Sequence, residues 1–194
     1  MMKKQFTLSI VLSLFSGFAL AHPGHGLTHG FTAGLLHPLL GWDHLLMMLA
    51  VGVWAANVGG KARWQLPLTF VCTMLLGALL GMAGIAIGGV ESTIAAGLIA
   101  LGVVLMTRFA IHRELQLLFT ALFALMHGLA HGTELYQDKM ANMALPLLGM
   151  LIATAGLHGL GYVLGMQRHR LLTLSQSLLA GLMLGLGANL LLTV

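Results

Sequence analysis

The chain has 194 residues, of which 58% are hydrophobic and only 7% charged, and its mean hydropathy of +0.95 lies far outside the soluble range. This excludes a soluble globular domain and predicts an integral membrane protein. The net charge of +4 is no nucleic-acid signature, because the basic residues fall in short loops between apolar runs rather than in a patch.

Met1 to Ala21 reads as a cleaved signal peptide: Lys3 and Lys4 form the charged start, Leu8 to Phe18 the apolar stretch, and Ala19-Leu20-Ala21 an A-x-A site. Residues 22–30 are then a His-rich periplasmic N-terminus. Cleavage after Ala21 would let the free amine and imidazole of His22 chelate a metal together, with His25 and His29 close behind. The remainder, residues 31–194, is predicted to be all-α, a six-helix transmembrane permease domain. Six apolar runs approach the roughly 20 residues that cross a bilayer: Phe31–Ala56, Trp64–Gly84, Ser92–Thr107, Leu115–Gly132, Ala144–Met166 and Leu171–Leu192. The single cysteine, Cys72, lies inside an apolar run and cannot form an intramolecular disulfide.

The loops test the orientation. A mature chain that begins outside places the loops after spans one, three and five in the cytoplasm, where basic residues should collect. Those loops carry Lys61 and Arg63, Arg108 and Arg113, and Arg168 and Arg170; the others carry Glu91, Glu134, Asp138 and the lone cation Lys139. Both mature termini are therefore expected in the periplasm of a bacterium, with the chain in its cytoplasmic (inner) membrane. Gly77-x-x-x-Gly81, Gly161-x-x-x-Gly165 and Gly181-x-x-x-Gly185 each put two small residues on one helix face, the pattern of close helix packing in lipid.

Ionisable groups inside spans cost a few kcal/mol each at mid-depth and are functional candidates by default. Span one carries His37, Asp43 and His44; span four carries His127, His131 and, at its end, Glu134; span five carries His158. His37 and His44, seven residues or two turns apart, share a helix face. His127 and His131 are i, i+4, which brings two imidazoles to one metal, and Glu134 extends that stripe. Together with His22, His25 and His29 they form a ladder of N and O donors descending from outside to the membrane centre. Imidazole and carboxylate without thiolate suit a borderline divalent ion, and softness alone does not separate nickel from cobalt or zinc. Met47 and Met48 could add thioether sulfur, but core filling is the simpler reading for methionine in a chain with 13 of them.

Two motifs carry a resemblance. "HPLLGWDH", His37 to His44, has the form H-x5-D-H, and "MHGLAHGTE", Met126 to Glu134, has the form HGxAHGxE. With the His-rich start "HPGHGLTH" they resemble the HupE/UreJ family of hydrogenase and urease accessory membrane proteins; Met126 stands where an aromatic residue is expected. The resemblance implies a secondary permease for Ni²⁺, with Co²⁺ as the other candidate, and a functional link to hydrogenase or urease maturation proteins. It carries over His37, Asp43, His44, His127, His131 and Glu134 as metal-handling residues. The expected partners are the ion and the lipid bilayer, with a homo-oligomer left open. The chain is read as no enzyme, with no permanently bound cofactor. A membrane metal sensor or chaperone, an intramembrane metalloenzyme and a bis-histidine haem protein are the alternatives; H-E-x-x-H and Walker A sequences are both absent from the chain.

Overall fold

The computed structural model describes residues 30–137, 142–166 and 170–193. The signal peptide, His22, His25, His29, Asp138, Lys139 and Arg168 lie outside the described residues. Within them the chain is all-helical, with seven helices and no strand: α1 Phe31–Leu40, α2 Trp42–Val58, α3 Ala62–Met82, α4 Val90–Thr107, α5 Arg113–Gln137, α6 Ala144–Met166 and α7 Arg170–Thr193. Five of these helices are long and apolar enough to cross a membrane, and α1 with α2 make a sixth span only if the bent pair counts as one. The chain is a multi-pass membrane protein.

The expectation of one continuous span over Phe31–Ala56 is corrected here. The run breaks at Gly41, and α1 and α2 meet at 83°. Pro38 sits inside α1 and lacks the N–H that would tie it to the preceding turn. Three residues later Gly41 leaves helical conformation, at φ −87° and ψ 113°, so α1 ends and α2 starts afresh. At 1.5 Å per residue α1 is only about 15 Å long and cannot cross a bilayer alone. Span four also runs further than expected: α5 continues past Gly132 to Gln137, so Glu134 is held on a helix.

Side-chain pattern explains the arrangement. From Leu45 to Ala56 α2 is apolar around its whole circumference, and Leu46, Met47, Met48, Ala50, Val51 and Trp54 are all buried; such a helix belongs in the centre of a bundle. Around it, α3 packs most extensively on α5, α2 on α6, and α4 on α7. Backbone carbonyls approach glycines at these seams. A Cβ on Gly77 would strike the carbonyl of Leu125, and one on Gly81 would strike Leu129 and Gly132. The reciprocal pair, Gly128 and Gly132, faces the carbonyls of Met74 and Ala78. Gly161 meets the Leu49 carbonyl and Gly165 meets Val53 and Ala56. Two of the three small-residue faces expected from sequence thus sit in helix seams, and contact order along the seams makes α3 parallel to α5 and α2 parallel to α6. Parallel pairs require an intervening helix to return the chain, as the alternation of spans provides.

Candidate metal centre

The break at Gly41 builds the site. It turns the end of α1 back across the start of α2, so His37 and His44 meet with ring centroids 5.7 Å apart. The sequence placed them on one face of a straight helix; the structure brings them together through the bend. Gly41 also leaves room beside the site, since a Cβ there would lie 3.1 Å from Asp43 Oδ1 and 3.4 Å from His44 Nδ1. Asp43 Oδ2 lies 2.8 Å from His44 Nδ1, which steadies the imidazole ring, while Asp43 Oδ1 has no hydrogen-bond partner.

Opposite this corner stands α5. The seam of Gly128 and Gly132 against α3 fixes the helix, and the residue preceding each glycine, His127 and His131, turns inward. The His131 ring lies 4.5 Å from that of His44 and 4.8 Å from that of His37. The His127 ring lies 5.3 Å from His44. Among the described residues one group could hold a metal ion: His37, His44 and His131, whose ligand nitrogens all lie within 4.8 Å of one another. Glu134, one turn further along α5, reaches His37 at 3.7 Å between Oε2 and Nε2.

Exposure is graded. The Glu134 side chain is 37% exposed and that of His37 22%; Asp43, His44, His127 and His131 are buried. An ion entering past Glu134 and His37 would therefore meet progressively drier ligands. The His127 ring is held in a defined orientation. Its Nδ1 is 2.8 Å from the Phe123 carbonyl, which can only accept, so Nδ1 carries the proton and Nε2 keeps its lone pair. That Nε2 is buried with no hydrogen-bond partner. A backbone carbonyl orienting the far nitrogen is the usual outer support of a metal-bound histidine.

His158 stands apart from the three-histidine group. Its Nδ1 donates to the Met48 carbonyl at 2.7 Å, and the Phe70 ring packs against both His158, at 4.9 Å, and His127, at 5.8 Å. Phe70 has no signature in the sequence, where an isolated phenylalanine in an apolar run gives no signal. At the other end of α2 and α5, Trp54, Asn57, Arg108, Phe109 and Gln116 line a cavity of about 390 Å³. Between it and His127, α5 carries Thr120, buried on the same stripe as Gln116.

Comparison with known proteins agrees with the motifs. Residues 10–190 match the family described as HupE / UreJ protein. The chain is 42% identical over 144 residues to Protein HupE of Rhizobium leguminosarum bv. viciae, covering 74% of each chain. No solved structure matches it. A chain that matches the family over nearly its whole length, and a relative at this identity, is a member: the protein belongs to the HupE/UreJ family.

Proposed function

We propose that this protein is a secondary permease that imports a divalent transition metal, Ni²⁺ in the first place and Co²⁺ as the alternative, for hydrogenase or urease maturation. The observation that carries the reading is the group of half-buried His37 with buried His44 and His131, their ligand atoms within 4.8 Å of one another, flanked by the carboxylates of Asp43 and Glu134. Membership of a family named for hydrogenase and urease accessory proteins supports nickel as the cargo. In this reading the signal peptide is removed, both mature termini face the periplasm, and six crossings place the basic loops in the cytoplasm. His22, His25 and His29 capture the ion outside. Glu134 and His37 admit it, His44 and His131 replace its water, and Asp43 offsets its charge in the dry interior. His127 takes it onward toward His158.

The energetics are adequate without a nucleotide. Stripping water from a dication is costly, and two carboxylates beside three imidazoles return both donors and charge. Several moderate sites in series suit transport better than one tight cage, because the ion must also leave. A membrane potential negative inside favours a dication by about 4–5 kcal/mol per 100 mV. The cavity beside Asn57 and Gln116 supplies the inner mouth. Cells producing the chain should accumulate ⁶³Ni²⁺ above the empty-vector level, with Co²⁺ as a stronger competitor than Mg²⁺. Accumulation equal to the empty vector from a correctly inserted chain refutes the reading and favours a sensor that binds without translocating.

A further inference from the structure

One helical turn past His44 on α2 lies Met48, which is fully buried. Its carbonyl accepts from His158 Nδ1 at 2.7 Å. Its sulfur lies 3.3 Å from Thr154 Oγ1, and the same hydroxyl lies 3.9 Å from the sulfur of Met74. Three helices, α2, α3 and α6, thus bring two thioethers, a hydroxyl and an imidazole into one buried layer.

Two features of this layer are not explained by packing. The first is Thr154. Thr73, Thr93, Thr107, Thr120 and Thr193 each donate their hydroxyl to the carbonyl four residues back, the usual outlet for a helical threonine. Thr154 instead turns its hydroxyl across the helix seam toward two sulfurs, which are weak acceptors. The second is His158 Nε2. Because Nδ1 donates to a carbonyl, Nε2 holds the lone pair, and it is buried with no hydrogen-bond partner. Burying an acceptor without a partner forfeits its hydration and is destabilising. A histidine serving only to tie α6 to α2 needs Nδ1 alone.

We propose that His158 Nε2, the Met48 and Met74 sulfurs and the Thr154 hydroxyl form a second cation subsite, one turn beyond the three-histidine group, for a borderline-to-soft transition metal ion. The inference rests on the transport reading and adds to it a sulfur-containing station. The Phe70 ring, in contact with His127 and His158 alike, makes the two stations neighbours. The donors differ in kind. The first station holds carboxylates and imidazoles; the second is neutral, with thioether sulfur. Mg²⁺ and Ca²⁺ demand oxygen ligands, so they gain nothing from thioether sulfur there. A late first-row ion accepts nitrogen and sulfur, and a site without carboxylate holds it loosely enough to release it.

The test uses the full chain in lipid nanodiscs, loaded with Ni²⁺ and studied by X-ray absorption at the nickel edge, alongside ⁶³Ni²⁺ uptake in proteoliposomes. The native chain should show sulfur in the nickel coordination sphere at saturation. The volume-conserving double substitution Met48→Leu, Met74→Leu should abolish that sulfur signal and slow uptake about tenfold or more, while nickel on nitrogen and oxygen remains. Thr154→Val should slow uptake, and Thr154→Ser should restore it. Nickel bound only through nitrogen and oxygen at saturation, with the methionine variant transporting normally, overturns the subsite and leaves the transport reading standing. A native chain that neither binds nor passes nickel overturns both. Should the double variant fail to insert, the native sulfur signal alone decides.

Discussion

The substitution Gly128→Ala perturbs the site without touching a ligand. Gly128 sits between His127 and His131 on α5, and its Cα faces the backbone of α3. A Cβ there would drive into the Met74 carbonyl and come within 2.8 Å of Ala78 N, where ordinary contact begins at 3.4 Å. Neither neighbour is a flexible side-chain end, so the helices themselves must part, by roughly 1 Å, at an overpacking cost of about 1–3 kcal/mol. Better helix propensity returns only about 0.5–1 kcal/mol. The larger effect falls on the metal centre. His127 and His131 ride on α5, whereas His37 and His44 belong to α1 and α2. Ligand constellations tolerate about 0.5 Å of displacement, so nickel affinity should fall about tenfold or more although every donor atom is present. Gly156→Ala is the control: it lies on the exposed face of α6, and a Cβ there meets nothing within 4 Å. Nickel titration of purified chains in nanodiscs, with thermal unfolding of the same samples, measures both terms. Native affinity in Gly128→Ala would refute the claim that the α3–α5 seam sets the spacing of the histidines.

Three further outcomes are expected. Asp43→Asn keeps the shape of the side chain and removes its charge beside His44, so nickel affinity should drop about 10–100-fold with little change in unfolding temperature; an unchanged affinity would show that the carboxylate charge takes no part in holding the ion. Imidazole binds metal only when neutral, and its ordinary pKa is about 6.5, so protons compete below that value: uptake should be full above pH 7, fall below about pH 6, and recover on return. Uptake unchanged at pH 5 would count against histidine ligation. Cysteines replacing exposed Ile87 and Phe109, in a Cys72→Ser background, should react oppositely with a membrane-impermeant maleimide. Ile87→Cys should label in intact spheroplasts and Phe109→Cys only after lysis; the reverse pattern would invert the orientation.

Hydropathy and loop charge were enough to locate the long helices, because crossing a bilayer requires sustained apolar length and little else. They were blind to the break in the first span. "HPLLG" holds Pro38 and Gly41, which a backbone reading flags, but both are tolerated in apolar runs and leave hydropathy undisturbed. The pairing of His37 with His44 was therefore anticipated for the wrong geometric reason. The i, i+4 spacing of His127 and His131 did put both inside one helix face, since α5 is regular there. What faces that stripe was not legible: the contacts of His44 with His131 and His127, and of Phe70 with His127 and His158, depend on how helices remote in sequence are packed. Glycine spacing gave part of that packing, in Gly77 with Gly81 and Gly161 with Gly165. The matching pair on α5, Gly128 and Gly132, was hidden within a motif read for its histidines. Thr154 and Met74 gave no sign at all, because a threonine or methionine in a span is ordinarily filler.

The most direct measurement is ⁶³Ni²⁺ entry into proteoliposomes containing the native chain, His37→Ala or Asp43→Asn, under an inside-negative potential. The account predicts saturable entry for the native chain and its loss in both variants, each inserted and folded as the native protein is. Entry by the two variants at the native rate, or nickel bound by the native chain that never reaches the lumen, would contradict it.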